Sequence, residues 1–424
     1  MASISRFVIA GACIAAFALP ASAQFNAGAP WGKDTLAGVT ITSTDRTIVH
    51  EEIAHYRYRV QVGPGPYDMV QVHRVVREAE PWKPKGTVEG AFLLPGLPQF
   101  FEGIFMPPNI SDAAASDQSF AIYLAQNGID VWGMDWAWDF VPGDTTDFDF
   151  MEGWGVEKDA MHADLAMSIA RRIRTLTGQG NGRLHLLGFS YGVYVAYAVA
   201  NEETQRPPGR RNVKGLIPVD SNYKVSTEGA RLTNCANANA IKTGFLDQGI
   251  FQEQWPFSFI GYLALAMPDD PSPVIPGLTN YEAAVTLGIP FFVTGTVGPP
   301  PVLAFTDDRL FVDVLATTPD FSTRQSSYDT YAVRCDDDVT APVSFDDHLA
   351  EIALPIFYVG KNAAHGLYAA TLTASTDFSQ LLVNPPAYPN LAHADLFLAP
   401  AAESLVWFPI LEWMLAHKSN PKTF

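Results

Sequence analysis

Residues 184–196 read LHLLGFSYGVYVA, and at their centre Gly188-Phe189-Ser190-Tyr191-Gly192 sets one serine between two glycines. Apolar residues flank the pentapeptide on both sides, so it falls where a strand gives way to a helix. Gly-x-Ser-x-Gly in that context holds the serine in a sharp turn and lifts its hydroxyl above the sheet edge. It also aims the free N–H groups of the following helix at the same spot. Such a hydroxyl is placed to attack a carbonyl carbon, and it needs a base to take its proton. Of the nine histidines, His393 lies in Pro389-Asn390-Leu391-Ala392-His393-Ala394-Asp395. This polar loop separates the last expected strand from the last expected helix, which brings His393 to the serine's edge of the sheet. His365, in the loop after the preceding strand, is the alternative base. His185 falls inside the strand before the serine and reads as core. His50, His55, His73, His162, His348 and His417 have no comparable context.

The elements needed to position these residues can be read around them. Residues 56–62 alternate at period two, Gly63-Pro64-Gly65-Pro66 makes a turn, and residues 69–76 form a second strand, so the pair reads as a hairpin. Residues 24–45, rich in Gly and Thr, read as an irregular lead-in. From residue 90 strand and helix alternate. Strands are expected at 90–94, 129–134, 184–187 and 216–219, with helices at 116–127, 160–177 and 191–201 between and after them. This order predicts an α/β fold with a mostly parallel sheet and helices on both faces. The rhythm stops over residues 221–350, which are rich in Pro and Phe, and returns with strands at 354–360 and 378–383 and a helix at 401–417. The expected organisation is a core from 24 to 220 and from 351 to 424, interrupted by a cap at 221–350.

The chain resembles the α/β-hydrolase superfamily, in particular its exported serine esterases and lipases. The resemblance covers roughly residues 50–220 and 350–420. It rests on Gly188–Gly192, the Leu94-Pro95-Gly96-Leu97 turn, Asp135-Trp136 at a strand end, and the late His393. It implies an oxyanion hole made by the backbone N–H groups of Tyr191 and Leu97. It also implies an acid that orients the histidine. The loop after the penultimate strand, where most members carry that acid, reads Gly360-Lys361-Asn362-Ala363-Ala364-His365-Gly366 and holds no carboxylate. Some members hold it after the preceding strand, where Asp220 ends the run Leu216-Ile217-Pro218-Val219. Asp220 is therefore the expected acid, with Asp377 as the alternative. The implied activity is hydrolysis of carboxylic esters, with no cofactor and no metal, and the Phe, Pro, Leu and Val of the expected cap suggest an apolar acyl or alcohol group. Carbon–carbon (diketone) hydrolysis and acyl transfer could use the same residues, and a non-catalytic binding protein is the rival of a different class. Epoxide hydrolases and haloalkane dehalogenases place aspartate where this chain has Ser190.

The chain of 424 residues has a formal net charge of −18, which argues against nucleic acid as a partner. The expected partner is a small-molecule or lipophilic ester. Residues 1–23 read as a signal peptide, with Arg6, an apolar run of about 13 residues and then Ala21-Ser22-Ala23. That run is too short to span a bilayer. Periplasmic or secreted localisation follows. Beyond Cys13, only Cys235 and Cys335 occur; as an even pair in an oxidising compartment they are expected to form a disulfide.

Overall fold

The computed structural model describes residues 39–289, 292–298, 300–335, 343–361 and 366–418. The expected signal peptide, Asn362 and the alternative base His365 lie outside the described residues. Three antiparallel strands open the sheet: β1 (Thr40–His50), β2 (Ile53–Gln61) and β3 (Met69–Glu80). Asp68 closes the turn between β2 and β3 by accepting from Gly65 N at 2.9 Å. The lead-in expected at 24–45 is corrected from Thr40 onward. β1 is an edge strand exposed over much of its length, so it lacks the apolar alternation that marks a strand in sequence.

Six parallel strands follow: β4 (Glu89–Leu94), β5 (Ile129–Asp135), β6 (Leu184–Phe189), β7 (Val213–Val219), β8 (Ile356–Gly360) and β9 (Phe378–Leu382). Their order in the sheet is β1-β2-β3-β5-β4-β6-β7-β8-β9. β4, β5 and β6 are buried along their whole length, as strands covered on both faces must be. Alternate residues serve two cores. Phe92, Leu94, Leu186 and Leu216 face one, while Ala91, Leu93, Leu187 and Ile217 face the other.

The first core is closed by α3 (Val156–Leu176) and α4 (Tyr191–Thr204) through Ala163, Met167, Val195 and Val199. Helices α1 (Phe101–Phe105) and α2 (Phe120–Gln126) and the C-terminal helices close the second. Ser119 caps α2 by accepting from Ile122 N, and Gly128, at φ +81°, ends it.

Between β7 and β8 the chain leaves the sheet and forms five α-helices among the described residues: α5 (Glu228–Gly244), α6 (Phe257–Ala266), α7 (Asn280–Gly288), α8 (Asp308–Ala316) and α9 (Arg324–Ala332). Four begin at Thr227, Thr279, Asp307 and Thr323, whose side chains each accept from a first-turn N–H. Thr279 and Glu282 form a capping box. The Cys235–Cys335 disulfide is present and ties α5 to the chain just after α9. After β8 come α10 (Tyr368–Thr371), α11 (Asp395–Leu398) and α12 (Phe408–Ala416). The single helix expected at 401–417 is a π-helical turn at Glu403–Trp407 leading into α12. Pro409, which has no N–H, sits at that junction. No helix among the described residues is long and apolar enough to cross a membrane.

Candidate active site

Ser190 joins β6 to α4 at φ 56° and ψ −115°, a backbone that side chains rarely adopt. Close approach dictates its flanking glycines. A Cβ on Gly188 would lie 2.1 Å from the Gly192 carbonyl oxygen, and one on Gly192 would lie 2.5 Å from that of Leu94. Ser190 N donates to Val219 O at 3.1 Å, which holds the turn against the end of β7. Helix geometry leaves the first N–H groups of α4 without intrahelical acceptors.

Asp220 follows Val219, which pairs with Phe189 on one side and with Val359 on the other. Ser190 and Asp220 therefore stand one residue beyond paired positions of adjacent strands. Asp220 also has positive φ, 49°. Its Oδ1 accepts from Lys361 N at 3.1 Å, and its Oδ2 lies 2.7 Å from His393 Nδ1. The His393 ring stacks on Phe189 at 4.5 Å between centroids. The Asp220 side chain is 4% exposed and that of His393 20%. The acid is thus shielded while the imidazole stays partly exposed. With Nδ1 directed at a carboxylate, Nδ1 carries the proton and Nε2 is free to accept one. Asp377 is elsewhere. Its carbonyl accepts from Ile356 N at the amino end of β8, and its carboxylate lies 3.1 Å from His417 Nε2. His185 is buried in β6 against Trp413.

The loop after β4 passes directly over the serine. A Cβ on Gly96 would lie 2.8 Å from Ser190 Cβ and 3.3 Å from its Oγ. Gly96 O accepts from Gln99 N at 3.1 Å, which folds Leu97 and the cis Leu97–Pro98 bond into a tight turn. Gly96→Ala is expected to push this loop off Ser190 and to cut kcat toward esters roughly 10²-fold, the scale of losing one oxyanion donor. Steady-state kinetics on a p-nitrophenyl ester, with the thermal midpoint as control, checks it.

No family model and no curated protein sequence matches the chain. Solved structures do. The crystal structure of a proposed lipase from Sulfolobus solfataricus, 19% identical, covers 87% of this chain and 95% of its own at a TM-score of 0.61. This is the α/β-hydrolase fold. A carboxyl esterase from Bacillus coagulans (12% identity, 85% of this chain and 98% of that one, TM-score 0.46) is also similar. So is a monoglyceride lipase from Saccharomyces cerevisiae (12%, 83% and 92%, 0.43).

Two anchors of the site in this α/β-hydrolase fold had no reading in the sequence. The first holds the side chain of Tyr191. Its hydroxyl lies 2.6 Å from Asp159 Oδ2 on α3 and 3.0 Å from Ser326 Oγ on α9. Trp136 and Trp138 meet its ring edge-on. Asp159 lies in the first turn of α3, one residue before the helix expected at 160–177. The second anchor is Asp395, fully buried two residues after His393. Its Oδ2 accepts from Ala392 N at 2.9 Å and Thr294 N at 2.8 Å, and its Oδ1 accepts from Thr306 Oγ1 at 2.6 Å. Asp395 thereby clamps the His393 loop to the chain between α7 and α8.

Burial pushes the Asp159 carboxyl up to about 8, against the hydrogen bond from Tyr191 and the charge of Lys158, and Asp329 nearby raises it further. Burial likewise raises Asp329 to about 7. The folded state thus holds protons that the unfolded chain, with carboxyls near 4, releases. The stability that these two carboxyls contribute therefore falls as pH rises from about 4 to about 8. Asp159→Asn, which keeps the shape and a polar partner for Tyr191, is expected to flatten that decline and to raise the thermal midpoint at pH 8 relative to the parent. Melting curves of both proteins from pH 5 to 8.5 check it.

Proposed function

We propose that this protein is an exported serine hydrolase of carboxylic esters, using Ser190, His393 and Asp220. The observation that carries the reading is the 2.7 Å contact of His393 Nδ1 with Asp220 Oδ2 beside the strained Ser190 turn. Ser190 Oγ attacks the ester carbonyl carbon while His393 Nε2 takes the hydroxyl proton. Asp220 holds the imidazole in that tautomer and stabilises the imidazolium that forms. The N–H groups of Tyr191 and Leu97 receive the oxyanion. Collapse of the tetrahedral intermediate breaks the ester C–O bond, and the alcohol leaves with the proton from His393. Water, deprotonated by His393, then attacks the acyl-enzyme, releasing the acid and restoring Ser190.

Residues 221–350 form a cap in this reading. Their Phe, Pro, Leu and Val content supports an apolar acyl or alcohol group on the substrate. The disulfide supports an oxidising compartment, periplasmic or extracellular.

A fluorophosphonate probe tests the reading. Mass spectrometry is expected to find one adduct per chain on the peptide containing Ser190, with ester hydrolysis lost in step. Full ester hydrolysis by a protein that the probe does not label overturns it, as does an adduct on another serine.

A further inference from the structure

One buried polar cluster stands apart from Ser190, and its hydrogen bonding is incomplete. In the β2–β3 ladder Arg57 pairs with His73 and His55 with Val75, so His55 and His73 are diagonal neighbours on one face of the sheet. They are 1% and 0% exposed. From α1, Phe101 stacks on both rings and Glu102 reaches the edge of His55. His73 Nε2 lies 2.8 Å from Asp135 Oδ2, and His55 Nε2 lies 2.9 Å from His73 Nδ1.

These distances fix where the protons are. Asp135 accepts, so His73 carries its proton on Nε2 and offers a lone pair at Nδ1. His55 Nε2–H donates to that lone pair. His55 Nδ1 is then left with a lone pair of its own, buried and without a hydrogen-bond partner. Facing it is Glu102 Oε1 at 4.0 Å, another electron-pair donor. Glu102 is held from its other sides by Arg57 Nη1 at 3.3 Å and Asn109 Nδ2 at 3.0 Å. Among the described residues the Lys or Arg paired with the carboxylates of Glu102 and Asp135 is Arg57, on Glu102, and Arg57 also pairs with Asp45. The lone pairs of His55 Nδ1 and Glu102 Oε1 converge in a net-negative buried setting, and release of the His55–His73 hydrogen bond frees His73 Nδ1 as a third donor; together they call for a cation.

We propose that His55, His73 and Glu102 bind a divalent transition-metal ion of the zinc class. One donor atom from each of the three lies within 4.8 Å of the others. Two imidazoles and a carboxylate suit zinc and its first-row neighbours rather than calcium or magnesium. Metal–ligand bonds of about 2.0–2.2 Å put donors roughly 3.3 Å apart, so binding draws the three together by up to about 1.5 Å. The Asp135 contact to His73 Nε2 becomes the outer-sphere bond that metal-bound imidazoles commonly make. Asp135 Oδ1 also accepts from Phe101 N at 2.8 Å. The ion would therefore fasten α1, and the 95–100 loop leading into it, to β2 and β3. This proposal does not rest on the hydrolase reading.

The test uses the tag-free full chain, stripped with a chelator and titrated with Co²⁺. One Co²⁺ per chain with a ligand-field spectrum, displaced by Zn²⁺ and accompanied by a higher thermal midpoint, is expected. His55→Gln/His73→Gln should abolish the spectrum, and His348→Gln should retain it. Asp135→Asn should weaken binding about 10–100-fold. Because the double variant could misfold, X-ray absorption of the Zn²⁺-loaded parent gives an independent readout, with two imidazoles expected in the first shell. Failure to bind Co²⁺ stoichiometrically overturns the proposal. So does a spectrum that survives loss of both histidines in a folded chain, or a first shell without two imidazoles.

Discussion

Ser190→Ala is expected to lower kcat toward a p-nitrophenyl ester by on the order of 10⁶-fold, the scale on which a serine hydrolase loses activity with its nucleophile. It should also abolish fluorophosphonate labelling. The fold should survive, because alanine keeps the Cβ and removes only an oxygen at the sheet edge. The backbone supplies an independent check on the same residue. Ser190 is held at φ 56°, a conformation that costs a side-chain-bearing residue about 1–3 kcal/mol and costs glycine almost nothing. Ser190→Gly should therefore be equally inactive yet more resistant to denaturant than Ser190→Ala, by about 1 kcal/mol. Such a pair shows that the turn stores strain to present the hydroxyl. If Ser190→Ala kept its activity, the strain would have another purpose and the nucleophile would lie elsewhere.

The turn was legible in the sequence because its constraints are local. Two glycines are required within van der Waals reach of neighbouring backbone, and the flanking apolar runs say which elements meet there. Asp220 was legible for a related reason: it ends an all-apolar run, so strand order alone puts it at the carboxyl edge. Choosing Asp220 over Asp377 was harder. Both adjoin strands, and the difference is which end of the sheet each occupies. Asp377 precedes β9 and meets His417 at the amino edge. The anchors with no reading depend on segments far apart in the chain. Tyr191, Asp159 and Ser326 come from three helices, while Asp395 reaches back 101 residues to Thr294. Nothing in the local pattern around Asp159 distinguishes it from a solvated helix-start acid. The helices of 221–350 did carry a signal, since Thr279-x-x-Glu282 is a capping box, but the scattered prolines and aromatics obscured it. His55 and His73 were legible only through register. Once β2 and β3 are paired across the 62–68 turn, the two rings must fall diagonally on one face.

Asp220→Asn should lower kcat by about 10⁴-fold while leaving KM close to that of the parent. The geometry says why so conservative a change is so damaging. Asp220 Oδ1 accepts from Lys361 N, a backbone donor that cannot turn away. An asparagine at this position keeps that bond only by pointing its carbonyl oxygen at Lys361, which points its NH₂ at His393 Nδ1. The amide then donates where the carboxylate accepted. His393 must then hold its proton on Nε2, the nitrogen that the proposed mechanism needs free as the base. The loss should ease only where the imidazole can be forced into the other tautomer, and the pH profile of kcat/KM should change shape rather than merely scale down. Asp377→Asn provides the contrast. Its partner His417 lies at the opposite edge of the sheet, and the Asp377 side chain is 60% exposed, so it should leave kcat and the pH profile unchanged. Equal losses in both variants would point to a general effect on folding, and a loss confined to Asp377→Asn would move the acid to the other edge.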